Sequence, residues 1–72
     1  MDQEKLEILI QKIKEENPTN GLIFEYLRGS VEVSSIESVE IENDLLKCVS
    51  IKEMDVKYVD IDCICGVVVK KD

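Results

Sequence analysis

Two pairs of side chains in the second half of the sequence have types and spacing that could support chemistry. Cys63 and Cys65 are separated by one residue, and thiolates bind zinc or take part in redox reactions. Asp60 and Asp62 have the same spacing, and two carboxylates on one strand face can converge on a divalent cation. Each pair also has a structural interpretation, as two small core residues and as a solvated strand face, respectively.

Catalysis is restricted by the residue types that the chain lacks. There is no His, so the usual general base of nucleophilic catalysis is missing. The sequence contains no glycine-rich phosphate-binding motif. Structural zinc usually takes four ligands, and Cys48 is the only other cysteine. We therefore predict a protein that is not an enzyme and that uses no metal and no cofactor.

The strongest compositional signal is negative charge. Sixteen acidic residues against nine basic ones give a net charge of −7, and no base lies between Arg28 and Lys47. From this acidic run we assign a candidate partner-binding face consisting of Glu32, Glu40, Glu42 and Asp44. The charge favours a basic protein partner and disfavours nucleic acid and anionic membranes. The alternative is that these carboxylates are solvated cover on an edge strand, where they discourage edge-to-edge pairing.

A second hypothesis uses the few basic residues instead. An RNA or a nucleotide-sized ligand would bind in a local pocket, at a site between subunits if the chain assembles. The candidate ligand-binding residues are Arg28, Lys47, Lys57 and Tyr58.

The elements that position these residues begin with a helix. Seventy-two residues and 8.2 kDa predict a single domain, residues 1–72. Residues 2–16 show helical spacing of apolar side chains, with Ile8 off the main stripe. Asp2 is the predicted N-cap, and Pro18 ends the helix. The stripe consists of Leu6, Leu9, Ile10 and Ile13.

The pattern changes to a period of two over residues 22–69, which predicts antiparallel strands. We expect turns at residues 28–30, where Gly29 can take a positive φ, and at Asn43-Asp44. Residues 31–42 read as one long strand with a bend or bulge near 35–37. Residues 56–69 are long for one strand, and a break near 59–62 would divide them in two. The predicted class is α+β or mainly β: an N-terminal helix followed by a strongly bent, four- or five-stranded antiparallel sheet or small barrel.

The helix, the segment LRGSVEV at residues 27–33, the long bent strand and the closing strand together resemble the Sm/Hfq-like group and other SH3-like small β-barrels. Gly29 is the one residue that we carry over, as the glycine of the first hairpin. The sequence departs from the group's RNA-contacting signatures, since no Asp-x-Met-Asn-like loop follows the bent strand. No Tyr-Lys-His or Ile-Arg-Gly element occurs near residues 57–60. The resemblance therefore implies the fold and assembly through edge strands, as a dimer or ring, without implying RNA binding.

From these features we predict a small acidic, non-enzymatic protein-interaction module that self-associates and binds a partner protein. Its size and charge would suit an inhibitor of the phage or mobile-element type. The acidic N-terminal residues lack the apolar run of a signal peptide, and no apolar stretch is long enough to span a membrane. An odd number of cysteines disfavours a disulfide framework, so we expect a cytoplasmic location.

Overall fold

The helix α1 spans Gln3–Glu16 and begins and ends as the sequence predicts. In the computed structural model, which describes residues 1–71, the side chain of Asp2 accepts a hydrogen bond of 2.8 Å from the Lys5 amide. This bond satisfies one of the amides that a helix start leaves unpaired. Leu6 and Ile13 are buried, while Ile8, off the predicted stripe, is 65% exposed. One apolar face of α1 therefore packs on the rest of the chain.

Within residues 1–71, six strands follow the helix, in two three-stranded antiparallel sheets. They are β1 (Leu22–Tyr26), β2 (Gly29–Val33), β3 (Val39–Glu42), β4 (Leu45–Val49), β5 (Val56–Asp60) and β6 (Ile64–Val69). The first sheet has the order β2-β1-β6, and the second has the order β3-β4-β5. The α+β class is thus confirmed, although the strand number exceeds the predicted four or five.

The chain passes between the sheets at two short 3-10 helices, and this explains the additional strand. Ile36–Ser38 separates β2 from β3, and Ile61–Cys63 separates β5 from β6. Both interruptions were predicted as a bend near 35–37 and a break near 59–62. At each point one buried isoleucine, Ile36 or Ile61, turns into the core. The helix α1 contacts both 3-10 helices and so lies over the two crossings.

The expectation of a barrel is corrected, because the ladders of the two sheets do not close on each other within residues 1–71. One backbone hydrogen bond outside the ladders links the two sheets: the Ile51 amide, in the connection after β4, donates to the Glu32 carbonyl of β2 at 3.0 Å. The Leu27 amide donates to the Cys63 carbonyl at 3.1 Å and extends the β1–β6 pairing by one step. The physical reason is that each 3-10 helix ends one ladder before the next begins.

The two predicted tight turns had different outcomes. Asn43 and Asp44 form the β3–β4 turn, with φ of 44° and 66°. A two-residue hairpin turn that matches the right-handed twist of its strands requires a positive φ at both of these positions. The first hairpin turns one residue earlier than expected, at Leu27 and Arg28, because Gly29 already pairs with Tyr26. Gly29 does not have a positive φ, so its expected role in the turn was wrong.

The core lies between the two sheets and under α1, and it is almost wholly aliphatic. Its buried members are Leu6, Ile13, Leu22, Phe24, Val31, Val33, Ile36, Val39, Leu46, Cys48, Val59, Ile61 and Ile64. Among residues 1–71 no helix has the length and apolar character to cross a membrane.

Candidate functional site

The candidate residues of the ligand hypothesis meet in one groove between the first hairpin and β5. This groove, the Tyr26 groove, has a volume of about 430 Å³ and is lined by Tyr26, Leu27, Arg28, Lys57, Tyr58, Val59, Asp60 and Cys63. Arg28, Lys57 and Tyr58 are three of the four residues predicted for a ligand. Sequence reasoning missed Tyr26 and Leu27, because nothing in the sequence shows that the first turn lies beside β5.

Lys47, the fourth predicted ligand residue, lies outside the Tyr26 groove. It is on β4, where it pairs across the ladder with Glu40 of β3. Its Nζ lies 4.0 Å from Glu40 Oε2, which is a loose and exposed ion pair. Such surface pairs contribute little stability, so we expect Lys47 to remain free to exchange partners.

One of the two cations of the Tyr26 groove, Lys57, lies over an aromatic ring. The Nζ of Lys57 lies 5.5 Å from the centroid of the Tyr26 ring, within the range of a cation–π interaction. Hydrogen bonding to the Tyr26 side chain is the largest of the causes that raise the pKa of Lys57 above its ordinary value. Lys57 therefore keeps its positive charge at every physiological pH.

The predicted acidic face is divided between the two sheets. Glu40 and Glu42 alternate on the edge strand β3, and Asp44 lies in the turn that follows. Glu32 is on β2 of the other sheet, where its carboxylate accepts a 2.7 Å bond from Lys70 Nζ. The structure thus groups three of the four residues and places Glu32 apart, with its charge compensated.

An exposed apolar strip lies beside this acidic strand, and sequence reasoning did not assign it. The strip consists of Val49, Ile51, Met54 and Val56, from the end of β4, the connection and the start of β5. Val49 and Val56 are direct partners in the β4–β5 ladder. Met54 is 80% exposed and has a φ of 60°. The left-handed region costs about 1–2 kcal/mol for a residue with a Cβ atom.

A shallow cleft joins the apolar strip to the acidic strand. It has a volume of about 210 Å³ and is lined by Glu37, Ser38, Glu40, Lys47, Cys48 and Val49. Val49 therefore borders two carboxylates, one of which, Glu40, has Lys47 nearby. The strip and the cleft together form a surface with an apolar centre and an acidic margin.

The three cysteines are all free thiols, and each has a different environment. Cys48 is buried in the core, and this burial raises the pKa of its thiol, with Lys57 as a smaller opposing influence. Cys63 is half-buried and Cys65 is exposed, so the core interpretation of this pair was wrong. The reason is the 3-10 helix, which breaks the strand alternation and gives the buried position to Ile64.

The fold does not bring the candidate metal ligands of the described residues together into one site. No group of three or more Cys, Asp or Glu side chains with metal-binding geometry forms among residues 1–71. The carboxylate of Asp60 instead accepts a 3.0 Å bond from the Asp62 amide and caps the second 3-10 helix. The Asp60-x-Asp62 pattern thus has a local structural role.

Comparisons with models of protein families, with curated proteins and with solved structures give no match. The geometry of the apolar strip, the acidic strand and the Tyr26 groove is therefore the basis for assigning a function.

Proposed function

We propose that this chain is a small non-enzymatic protein-interaction module. It binds a partner protein through the apolar strip and the carboxylates beside it. The partner has an apolar centre and a basic margin, complementary in charge to Glu37 and Glu40, which line the cleft with Val49. Exposed apolar patches with a polar rim mark interaction sites on soluble domains.

Met54 is the observation that carries this proposal. Its side chain is 80% exposed, so it contributes little to the core, and its φ of 60° is unfavourable for a bulky residue. Glycine at this position would remove the backbone strain. A strained and exposed methionine does not stabilise the folded monomer. Methionine is enriched at protein interfaces, where its flexible side chain adapts to irregular partners.

The acidic margin gives the surface its preference for a partner. Glu40 and Glu42 lie on β3, an edge of the second sheet, and Glu37 lines the cleft that reaches Val49. Charge complementarity mainly raises the rate and selectivity of association. A basic margin on the partner would thus be steered toward the strip, where burial of apolar surface supplies the affinity.

Self-association and a cytoplasmic location are further parts of the proposal. A second copy could also cover the apolar strip, and a chain of 72 residues buries only about 60% of its unfolded surface by itself. The three free thiols support a reducing compartment.

The test compares the proteins that an immobilised chain retains from a cell extract. Met54→Asp places a charge in the apolar strip, and its matched control is Ile8→Asp, an exposed isoleucine on α1 away from the strip. We expect a partner that wild type and Ile8→Asp retain and that Met54→Asp loses. The partner, once purified, should bind Met54→Asp at least tenfold more weakly than wild type.

The acidic margin is tested with a matched pair of charge reversals. Glu37→Lys combined with Glu40→Lys changes the margin, and Glu4→Lys combined with Glu25→Lys makes the same net change at two exposed positions that line neither this cleft nor the apolar strip. Only the first pair should slow association. The proposal is refuted if a purified partner binds all four variants like wild type, or if the control variants lose it equally.

Light scattering on a concentration series tests self-association separately. A mass above that of the monomer in wild type, reduced in Met54→Asp, supports it. A monomer at every concentration removes self-association and leaves the partner proposal to the binding experiment.

A further inference from the structure

We propose that the Tyr26 groove binds a planar aromatic anion of about the size of a nucleoside monophosphate. This site is distinct from the apolar strip, so the inference does not depend on the proposed protein partner. It combines an aromatic and aliphatic wall with two cations at the rim, and these features belong to different segments that the fold brings together.

The size and the walls of the groove suit a small organic ligand. Its volume of about 430 Å³ lies within the range of about 300–1,000 Å³ typical of ligand pockets. Tyr26 and Tyr58 are the only two tyrosines of the chain, and both line it. Aromatic side chains stack on the planar rings of bases in nucleic-acid complexes and contribute to their binding. Leu27, which is 75% exposed, forms an apolar lip.

The charge of the groove is opposite to that of the chain. Arg28 and Lys57 contribute two positive charges and Asp60 one negative charge, so the groove is at +1 in a protein of −7. The Lys57 ammonium lies over the Tyr26 ring, 5.5 Å from its centroid, so stacking on the ligand ring falls mainly to Tyr58, which is 54% exposed. A guanidinium and an ammonium at one rim match a phosphate or carboxylate.

The same charges favour a short ligand over a polymer. A nucleic-acid strand that continued from the groove would meet a surface with an excess of acidic side chains, and each additional phosphate would be repelled. A single anionic group attached to a ring uses both cations without that penalty. The glutamates of a second copy could reach the cations, but they have no ring to fill the aromatic wall.

The experiment titrates isotope-labelled full-length protein with three probes and follows the backbone amides by NMR. The probes are AMP, adenosine, which has the ring without the phosphate, and ribose 5-phosphate, which has the phosphate without the ring. We expect AMP to shift the amides of residues 26–28 and 57–60, with an affinity at least tenfold above that of either fragment.

Substitutions at the rim identify the cations. Arg28→Ala and Lys57→Ala should each weaken AMP binding about tenfold, whereas Lys12→Ala, an exposed lysine on α1 outside the groove, should leave it unchanged. Met54→Ser, which changes the apolar strip without adding a charge near Lys57, should also leave it unchanged, and this separates the site from the apolar strip. Unchanged amide shifts elsewhere confirm that each variant is folded.

Three results would overturn the inference. The first is the absence of shifts at residues 26–28 and 57–60 up to millimolar AMP. The second is equal binding of AMP and ribose 5-phosphate, which would show an anion site without a role for the aromatic wall. The third is binding of a six-nucleotide RNA with the steep salt dependence of several phosphate contacts, together with no binding of AMP.

Discussion

Replacing Leu6 by alanine tests whether α1 holds the two sheets together. Leu6 is fully buried and lies on the face of α1 that packs against the core. Removing three carbons from a buried side chain costs about 2.4 kcal/mol in transfer free energy alone. The cavity left behind brings the total to about 3–4 kcal/mol. A chain of 72 residues has a free energy of unfolding of only about 4–11 kcal/mol.

The assay is urea unfolding followed by far-ultraviolet circular dichroism, because the chain has no Trp for fluorescence. With a slope of about 1 kcal/mol per molar urea, the midpoint should fall by about 3 M. The melting temperature should fall by at least about 12 °C. The slope itself should be unchanged if Leu6→Ala alters stability without altering the compactness of either state.

The matched control is Ile8→Ala, on the same helix but 65% exposed. It should change the free energy of unfolding by no more than about 0.5 kcal/mol, since alanine also has the better helix propensity. The described packing of α1 is wrong if Leu6→Ala costs less than about 1 kcal/mol. It is equally wrong if the two substitutions cost the same.

Three further predictions concern the connection after β4 and the cysteines. Met54→Gly should raise the free energy of unfolding by about 0.5–1 kcal/mol in the same urea assay, because relief of the positive φ exceeds the entropy cost of glycine; a loss of stability would contradict this. Because burial raises the pKa of Cys48 in the folded chain, the thiol loses its proton at a lower pH in the unfolded chain. The free energy of unfolding should therefore be constant around neutral pH with respect to this group and fall as the pH rises above about 8.5. Cys48→Ala should lose less stability than wild type between about pH 8 and pH 9.5, and an identical slope would refute this cause. In native protein Cys65 should react with a thiol reagent first and Cys48 last, as mass spectrometry of the modified peptides would show; early modification of Cys48 would contradict its burial.

The helix and the β3–β4 turn could be predicted because local signals determine them. The N-cap at Asp2, the apolar stripe and Pro18 each act through nearby residues of the chain, and the structure agrees with each. Asn43-Asp44 is equally local, since both residues tolerate the left-handed region that the hairpin needs. The bend near 35–37 was visible as side chains that broke the alternation, such as Ile36, and the break near 59–62 was predicted from the length of the run at residues 56–69.

The groove and the apolar strip could not be predicted, because they depend on long-range placement. Tyr26 and Lys57 belong to different sheets, and no local pattern shows that the turn at residues 27–28 lies beside β5. The positive φ of Met54 could not be predicted either, because methionine is not a residue type that favours the left-handed region. Cys63 and Cys65 were misassigned because a strand pattern was continued through residues that form a 3-10 helix.

The order of the strands has a consequence for how the chain folds. Among the strand pairs of residues 22–69, all but one join neighbours in the sequence, and the exception is the ladder between β1 and β6. That ladder closes a loop that contains the whole second sheet. The entropy cost of closing this loop arises before the β1–β6 contacts can stabilise the chain. We therefore expect the β3-β4-β5 meander to form early and β6 to join last. Kinetic φ-value measurement should give a high value for Leu46→Ala and a low one for Val67→Ala, and the reverse order would exclude this sequence of events.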